Sequence, residues 1–136
     1  MTTLAGLAPE GRCRGYLWVS RQTNSPMGWP LDFRVLDEEL WATTYRSATK
    51  VPRIAAADQA CCLLFRAEDH PYPYLVLNGR VAIVEPSEDL VARYLGWTAG
   101  ATPRPLPRVA DRLLNAKRVF VHFHQTQELL AFPEPS

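Results

Sequence analysis

The apolar residues of this chain come in short, strand-like runs cut apart by clusters of turn-forming residues, with few stretches of helical spacing between them. Runs rich in aromatic and β-branched side chains, bounded by Gly, Pro, Asn, Asp or Ser, read as strands. Residues 16–20 are one such run. Residues 31–36 and 40–45 are two more, separated by Asp37-Glu38-Glu39, and together they predict a β-hairpin closed by an acidic turn. In the first of them Leu31, Phe33 and Val35 share one face, while Asp32 and Arg34 share the other. Residues 61–65 are continuously apolar, the pattern of a strand buried on both faces. The longest strand is predicted over 74–85, where Gly79 marks a bulge or a point of close backbone approach. Residues 118–124 and 128–132 read as a closing hairpin pair.

Three segments favour helix. Residues 46–58 are alanine-rich, and their Pro52 is tolerable only in a first turn, which places the N-cap near Ser47 or Thr49. Ser87 caps a helix running to about Leu95 with Glu88 and Asp89 in its first turn, and 109–116 predict another. Residues 23–30, 66–73 and 97–107 carry loop chemistry. The expected organisation is a flexible arm over 1–13, one domain over 14–133 and a tail over 134–136. Many short strands with few helices predict an α+β, mainly β fold: a six- to seven-stranded antiparallel split β-barrel with two or three short helices.

Composition narrows the function. A chain of 136 residues builds one domain with a core that needs no staples. Its 15 basic and 14 acidic side chains leave a net charge of +1, which gives no overall field to attract phosphate backbones, so nucleic acid is not an expected partner. No stretch approaches the roughly 20 apolar residues of a membrane span, and the N-terminus lacks a secretory pattern, so a cytoplasmic protein is expected. Of three cysteines, Cys61 and Cys62 are adjacent and match no disulfide or zinc framework; reduced, small apolar side chains are expected. No nucleophile elbow is present. His122 and His124 share a strand face but have no carboxylate at an obvious companion spacing, so they read as a half-exposed face or the wall of a pocket rather than as metal ligands.

The chemistry concentrates in Thr43-Thr44-Tyr45-Arg46-Ser47-Ala48-Thr49-Lys50-Val51-Pro52-Arg53. A strand ends in hydroxyls, a short turn adds Ser47 and Thr49, and a helix starts beside Arg46, Lys50 and Arg53. Free amides at a helix start, hydroxyl donors and an ammonium all favour an anion, and a phosphate or phosphorylated cofactor tail suits them. The same spacing also accommodates a plain cap flanked by solvated cations, and without a glycine it is not a Walker loop.

From Leu40 to Ile54, followed by Asp58 and the strand of residues 61–65, this stretch resembles the pyridoxamine 5′-phosphate oxidase-like superfamily of split β-barrels, which bind FMN or a deazaflavin. Residues 77–84, with Gly79 inside and Pro86 and a helix after, resemble that family's later Val-x-Gly-x-Ala-like strand, and the likeness runs from about residue 16 to 132. The resemblance implies a homodimer with two cofactor sites at the subunit interface. It places Thr43 and Thr44 at the strand end, Ser47 and Thr49 in the turn, and Lys50 as the phosphate cation, with Arg53 where relatives vary. Asp32, Phe33 and Arg34 would neighbour the isoalloxazine. Thr49 stands where pyridoxamine phosphate oxidase has Arg, and its Arg-x-His substrate segment is missing, so the implied activity is not the vitamin B6 reaction. It is an oxidoreductase acting on another small molecule, with FMN, or the deazaflavin coenzyme F-420, whose acidic tail Arg46, Arg53 and Arg80 would meet. The substrate would sit among residues 23–30, residues 97–107 and His122 or His124 of a neighbouring subunit. Alternatives are a module that carries flavin or haem without turnover, with His70, His122 or His124 on the iron, and a cofactor-free dimeric scaffold.

Overall fold

The computed structural model describes residues 12–19, 28–57, 59–65, 74–97 and 105–131, without the side chains of 127–131. Residues 1–11 of the expected arm, most of the loops expected over 23–30, 66–73 and 97–107, and the tail lie outside the described residues. Strands β1 (Arg12–Val19), β2 (Trp29–Leu36), β3 (Glu39–Tyr45), β4 (Gln59–Phe65), β5 (Tyr74–Val84) and β6 (Arg118–Ala131) close into an antiparallel barrel in the order β1-β2-β3-β6-β5-β4. Helix α1 (Lys50–Ala55) links β3 to β4, and α2 (Glu88–Leu95) and α3 (Arg108–Leu114) lie between β5 and β6. The fold is the expected mainly β barrel. Among the described residues no helix is long and apolar enough to cross a membrane.

Alternation along each strand builds the core. Leu17, Phe33, Leu40, Cys62, Leu64, Leu75, Leu77, Val121 and Phe123 fill the barrel, each with almost no exposure. Phe120 and Trp41, on the outer face of β6 and β3, pack instead against Leu90, Val91, Tyr94, Ala110 and Leu113 of α2 and α3. A second core therefore fixes the helix pair to one side of the barrel, by removing apolar surface from water.

The hairpin turn is Asp37-Glu38, with φ of 51° and 60°, and Glu39 is already the first residue of β3. Two left-handed residues make the mirror-type turn whose twist matches paired strands. Helix α2 follows its sequence signals: Ser87 Oγ accepts from the Leu90 amide at 3.1 Å, and Gly96 ends the helix at φ 74°.

Four expectations need correction. The N-cap of α1 is Thr49, but its side chain makes no capping bond, because φ −62° and ψ −24° are helical and only an extended cap residue turns its hydroxyl onto the following amides. Strand β4 alternates between buried and half-buried residues rather than being buried on both faces, since nothing among the described residues covers the outer side of Cys61 and Leu63. Strand β1 starts at Arg12, ahead of the expected Tyr16. The closing hairpin is one strand: Gln125, Thr126 and Gln127 read as a turn, yet β6 stays paired with β5 through them by register shifts at Val76/Leu77 and Asn78/Gly79. Bulges absorb polar residues in a strand that would otherwise have to turn.

At the second shift a Cβ on Gly79 would lie 2.3 Å from the His124 carbonyl oxygen and 2.6 Å from the Phe123 ring. Replacing it by Ala should cost about 1–3 kcal/mol through overpacking and lower the denaturation midpoint accordingly. By contrast Ala116, just after α3, is held at φ 66°, where a Cβ is unfavourable. Ala116→Gly should raise stability by about 1 kcal/mol in urea denaturation.

Candidate functional site

The outer face of β1, β2 and β3 forms the floor of a cleft of about 660 Å³. Tyr94 of α2 and Val109 of α3 wall one side, and Lys50 at the start of α1 and Arg118 at the start of β6 close one end. Register sets the floor: Arg14 lies opposite Asp32 and Arg12 opposite Arg34 in β1–β2, Arg34 opposite Trp41 in β2–β3, and Tyr45 opposite Arg118 in β3–β6.

The cleft is a cationic surface held in shape by aromatic rings. Arg34 donates to the Tyr94 carbonyl at 2.7 Å while its guanidinium sits 4.6 Å from the centre of the Tyr94 ring. Arg118 donates to Thr43 Oγ1 at 2.9 Å and lies 4.2 Å from the Tyr45 ring centre. Arg112 donates to the Tyr45 hydroxyl, and Arg118 and Arg112 together hold that phenol below its ordinary pKa. Arg14 and Asp32 form an exposed ion pair at 3.1 Å.

Two donors are left over. The Arg118 Nε is buried without a hydrogen-bond partner among the described residues, a costly state for a charged N–H. The Lys50 ammonium is half-buried and makes no hydrogen bond or ion pair among the described residues, and burial pushes its pKa down. Burial withdraws water from the charge without supplying a counter-ion. Lys50, Arg118 and Thr43 all line the cleft, so an anionic group bound there would meet an ammonium without a counter-ion and a guanidinium held only by neutral partners. The residues present therefore fit a phosphorylated ligand.

Of the residues singled out in the sequence, Asp32, Phe33, Arg34, Thr43, Thr44 and Lys50 line the cleft. Phe33 is fully buried and points into the barrel, so it supports the floor from beneath rather than offering its ring to a ligand. Ser47, Thr49 and Arg53 are exposed and lie outside the lining. Arg46 is also engaged elsewhere: it forms a two-pronged ion pair with Glu85, at 2.8 and 2.5 Å, and donates to the Ala116 carbonyl at 2.7 Å. Arg53 and Arg80 are exposed outside the cleft too, so the tail cations expected at these three positions are absent from its lining. Residues that sequence reasoning passed over take their place, namely Arg12, Arg14, Tyr45, Tyr94 and Arg118. Arg12 and Arg14 alone had a sequence signal, the alternation of charged and apolar residues at the start of 12–19.

His122 and His124 stand away from the cleft. They have the carboxylate companion that spacing did not reveal: His122 Nε2 lies 2.8 Å and His124 Nδ1 2.5 Å from the two oxygens of Glu39, and Trp41 stacks on His122 at 4.2 Å. Partial burial alone would raise the Glu39 pKa, but the two histidine contacts outweigh it and hold it below the usual value. Among the described residues no group of three ligands could hold a metal ion. His70 lies outside the described residues. The cysteines are free; burial raises the Cys13 thiol to about 11 and Cys62 well above its ordinary value, so both stay protonated.

No protein-family model matches the sequence, and no curated protein matches it. Solved structures do. An F420 reductase is 22% identical, with a TM-score of 0.60 over 93% of this chain and 96% of its own. A pyridoxamine 5′-phosphate oxidase-related, FMN-binding protein from Nostoc punctiforme is 14% identical, with a TM-score of 0.53 over 90% of this chain and 74% of its own. A haem-binding protein from Mycobacterium smegmatis is 12% identical, with a TM-score of 0.53 over 89% of this chain and 48% of its own. The chain has the split-barrel fold of the pyridoxamine 5′-phosphate oxidase-like proteins.

Proposed function

We propose that this protein is an oxidoreductase that binds FMN or a deazaflavin in the cleft and acts on a small molecule, with the cofactor completed by a second copy of the chain. The observation that carries this reading is that the Lys50 ammonium, which has no counter-ion among the described residues, and the Arg118 guanidinium bonded to Thr43 line one cleft. Lys50 and Arg118 hold the phosphate there, and Thr43, already bonded to Arg118, fixes the direction in which that guanidinium points. Strand β2 runs from this end along the floor, so Asp32 and Arg34 lie beside the ring. The ring supplies the hydride chemistry when bound, and the protein supplies its position and shields it from water. That division of labour accounts for a cleft in which the described residues form no Ser-His or Cys-His pair.

Fold relatives of stated F420, FMN and haem association support a flavin-like ligand. The haem alternative fits this cleft less well, because no histidine among the described residues lines it and His122 and His124 are both spent on Glu39.

Titration with FMN and with F-420, followed by absorbance and fluorescence, tests the reading. Saturable binding of at least one is expected, and binding of neither would overturn it. A hydrogen bond to a charged group contributes roughly 1.5–3 kcal/mol, so Lys50→Ala should weaken the bound cofactor about 10- to 150-fold.

The pH dependence has a definite sign. Lys50 must be protonated to attract phosphate, and its folded pKa is lowered, so affinity should begin to fall at a lower pH than for an ordinary lysine. Lys50→Arg should bind with a flat profile through the same alkaline range, which dissociation constants measured at increasing pH would show.

A further inference from the structure

Arg46 lies outside the cleft lining, yet three nitrogens of its guanidinium group donate hydrogen bonds, all to segments of the chain other than its own. Nη1 and Nη2 grip the two oxygens of Glu85, the residue after β5, and Nε donates to the Ala116 carbonyl in the turn between α3 and β6. The backbone makes the same connection: the Arg46 amide donates to the Lys117 carbonyl at 2.9 Å, which extends the β3–β6 pairing one residue beyond Tyr45 opposite Arg118. A planar fork with fixed donor directions can hold a carboxylate and a carbonyl together, whereas an ammonium on a flexible stem is a point charge.

Each joined segment leads to the cleft. Lys50 comes four residues after Arg46, through a turn in which the Ala48 amide donates to the Tyr45 carbonyl at 3.0 Å and the Val51 amide to the Ala48 carbonyl at 3.1 Å. Arg118 comes two residues after Ala116. Helix α3, which brings Val109 to the cleft wall and Arg112 to the Tyr45 hydroxyl, closes at Ala116: with this residue left-handed, the Lys117 amide folds back onto the Arg112 carbonyl at 2.9 Å. Arg46 adds a cation at that helix end, where cations are favoured.

We propose that Arg46 is a positioning residue of the cleft: its clasp on Glu85 and Ala116 sets where the Lys50 ammonium stands relative to the Arg118 guanidinium, and so tightens the hold on a phosphate that neither Arg46 nor Glu85 touches. The inference rests on the reading of Lys50 and Arg118 as the phosphate-holding groups.

Charge and position pull in opposite directions at Glu85, and that separates them by experiment. Glu85→Ala removes a negative charge and leaves the Arg46 charge uncompensated, so electrostatics alone would tighten an anion and push the Lys50 pKa further down. Loss of the clasp does the reverse, by letting the ammonium drift from its place and regain water. Calorimetric titration with FMN and with inorganic phosphate should show Glu85→Ala binding each about 2- to 5-fold more weakly, the scale of one well-oriented surface ion pair. Arg46→Lys keeps the charge without the fork and should weaken both ligands as well. The double variant should bind no more weakly than Arg46→Lys alone, because both substitutions break one contact. Both side chains are exposed, so the variants should unfold near the parent midpoint and the readouts refer to folded protein.

Lys50 also reports without any ligand. The chain has two lysines, so the Lys50 ε-carbon can be followed by nuclear magnetic resonance through a pH titration, and its lowered midpoint should rise toward that of an ordinary lysine in Glu85→Ala. Binding by either single variant that is unchanged or tighter, or a Lys50 midpoint that stays or falls in Glu85→Ala, would overturn the proposal. Failure of the redox reading looks different: the parent binds neither FMN nor F-420, while the Lys50 midpoint still rises in Glu85→Ala.

Discussion

The pairing of β3 with β6 is the contact on which both the barrel and the cleft depend. It joins the first hairpin to the last strand across more than seventy residues of chain, from Tyr45 opposite Arg118 to Leu40 opposite Phe123. With β1–β4 it closes the sheet, so β2 and β3 have neighbours on both sides and Phe33, Leu40 and Phe123 meet in one interior. The same register carries Arg118 over the Tyr45 ring and onto Thr43. A one-residue slip would turn Arg118 toward the interior and Val119 toward the cleft, because strand side chains alternate. Among the described residues the interior has no carboxylate to receive a guanidinium, so the packing of the core and the chemistry of the cleft select the same register.

The helices complete this arrangement. Tyr94 belongs at once to the second core and to the cleft wall: its ring meets Phe120 edge to face at 5.2 Å, and its carbonyl accepts from Arg34. Arg34 is thereby held by backbone and ring rather than by a carboxylate, which fixes its direction while leaving its charge available. Arg118 is treated the same way by Thr43 and Tyr45. Neutral partners orient these guanidinium groups without cancelling them, which is what a site for an anion requires.

Much of the fold was legible because its signals are local. The hairpin 31–45 shows in alternation around an acidic turn, α2 in Ser87 and Gly96, and the bulge in Gly79, each a property of a few adjacent residues. The continuity of β6 was not, because Gln125 and Thr126 look like turn residues until β5 is placed alongside. In the cleft Lys50, Thr43 and Arg34 were legible through the strand-turn-helix pattern and the family resemblance. Arg12 and Arg118 were not, since their meaning comes from the strands they face. The Glu39 companion of His122 and His124 was hidden for the same reason: a pair 83 residues apart leaves no spacing to read.

The turn after β3 shows how a local signal is kept while its chemistry moves. Ser47 and Thr49 look like anion donors in sequence, yet Ala48 closes the turn by backbone bonding to the Tyr45 carbonyl at 3.0 Å, and both hydroxyls face solvent. Helix α1 is only six residues long and lacks a side-chain cap, so the partial charge at its start is small and easily screened. An ammonium carries a full charge and, where half-buried, is screened far less. Lys50 thus outweighs the helix terminus from which it projects, and an anion drawn to this corner would be held by side chains rather than by the helix.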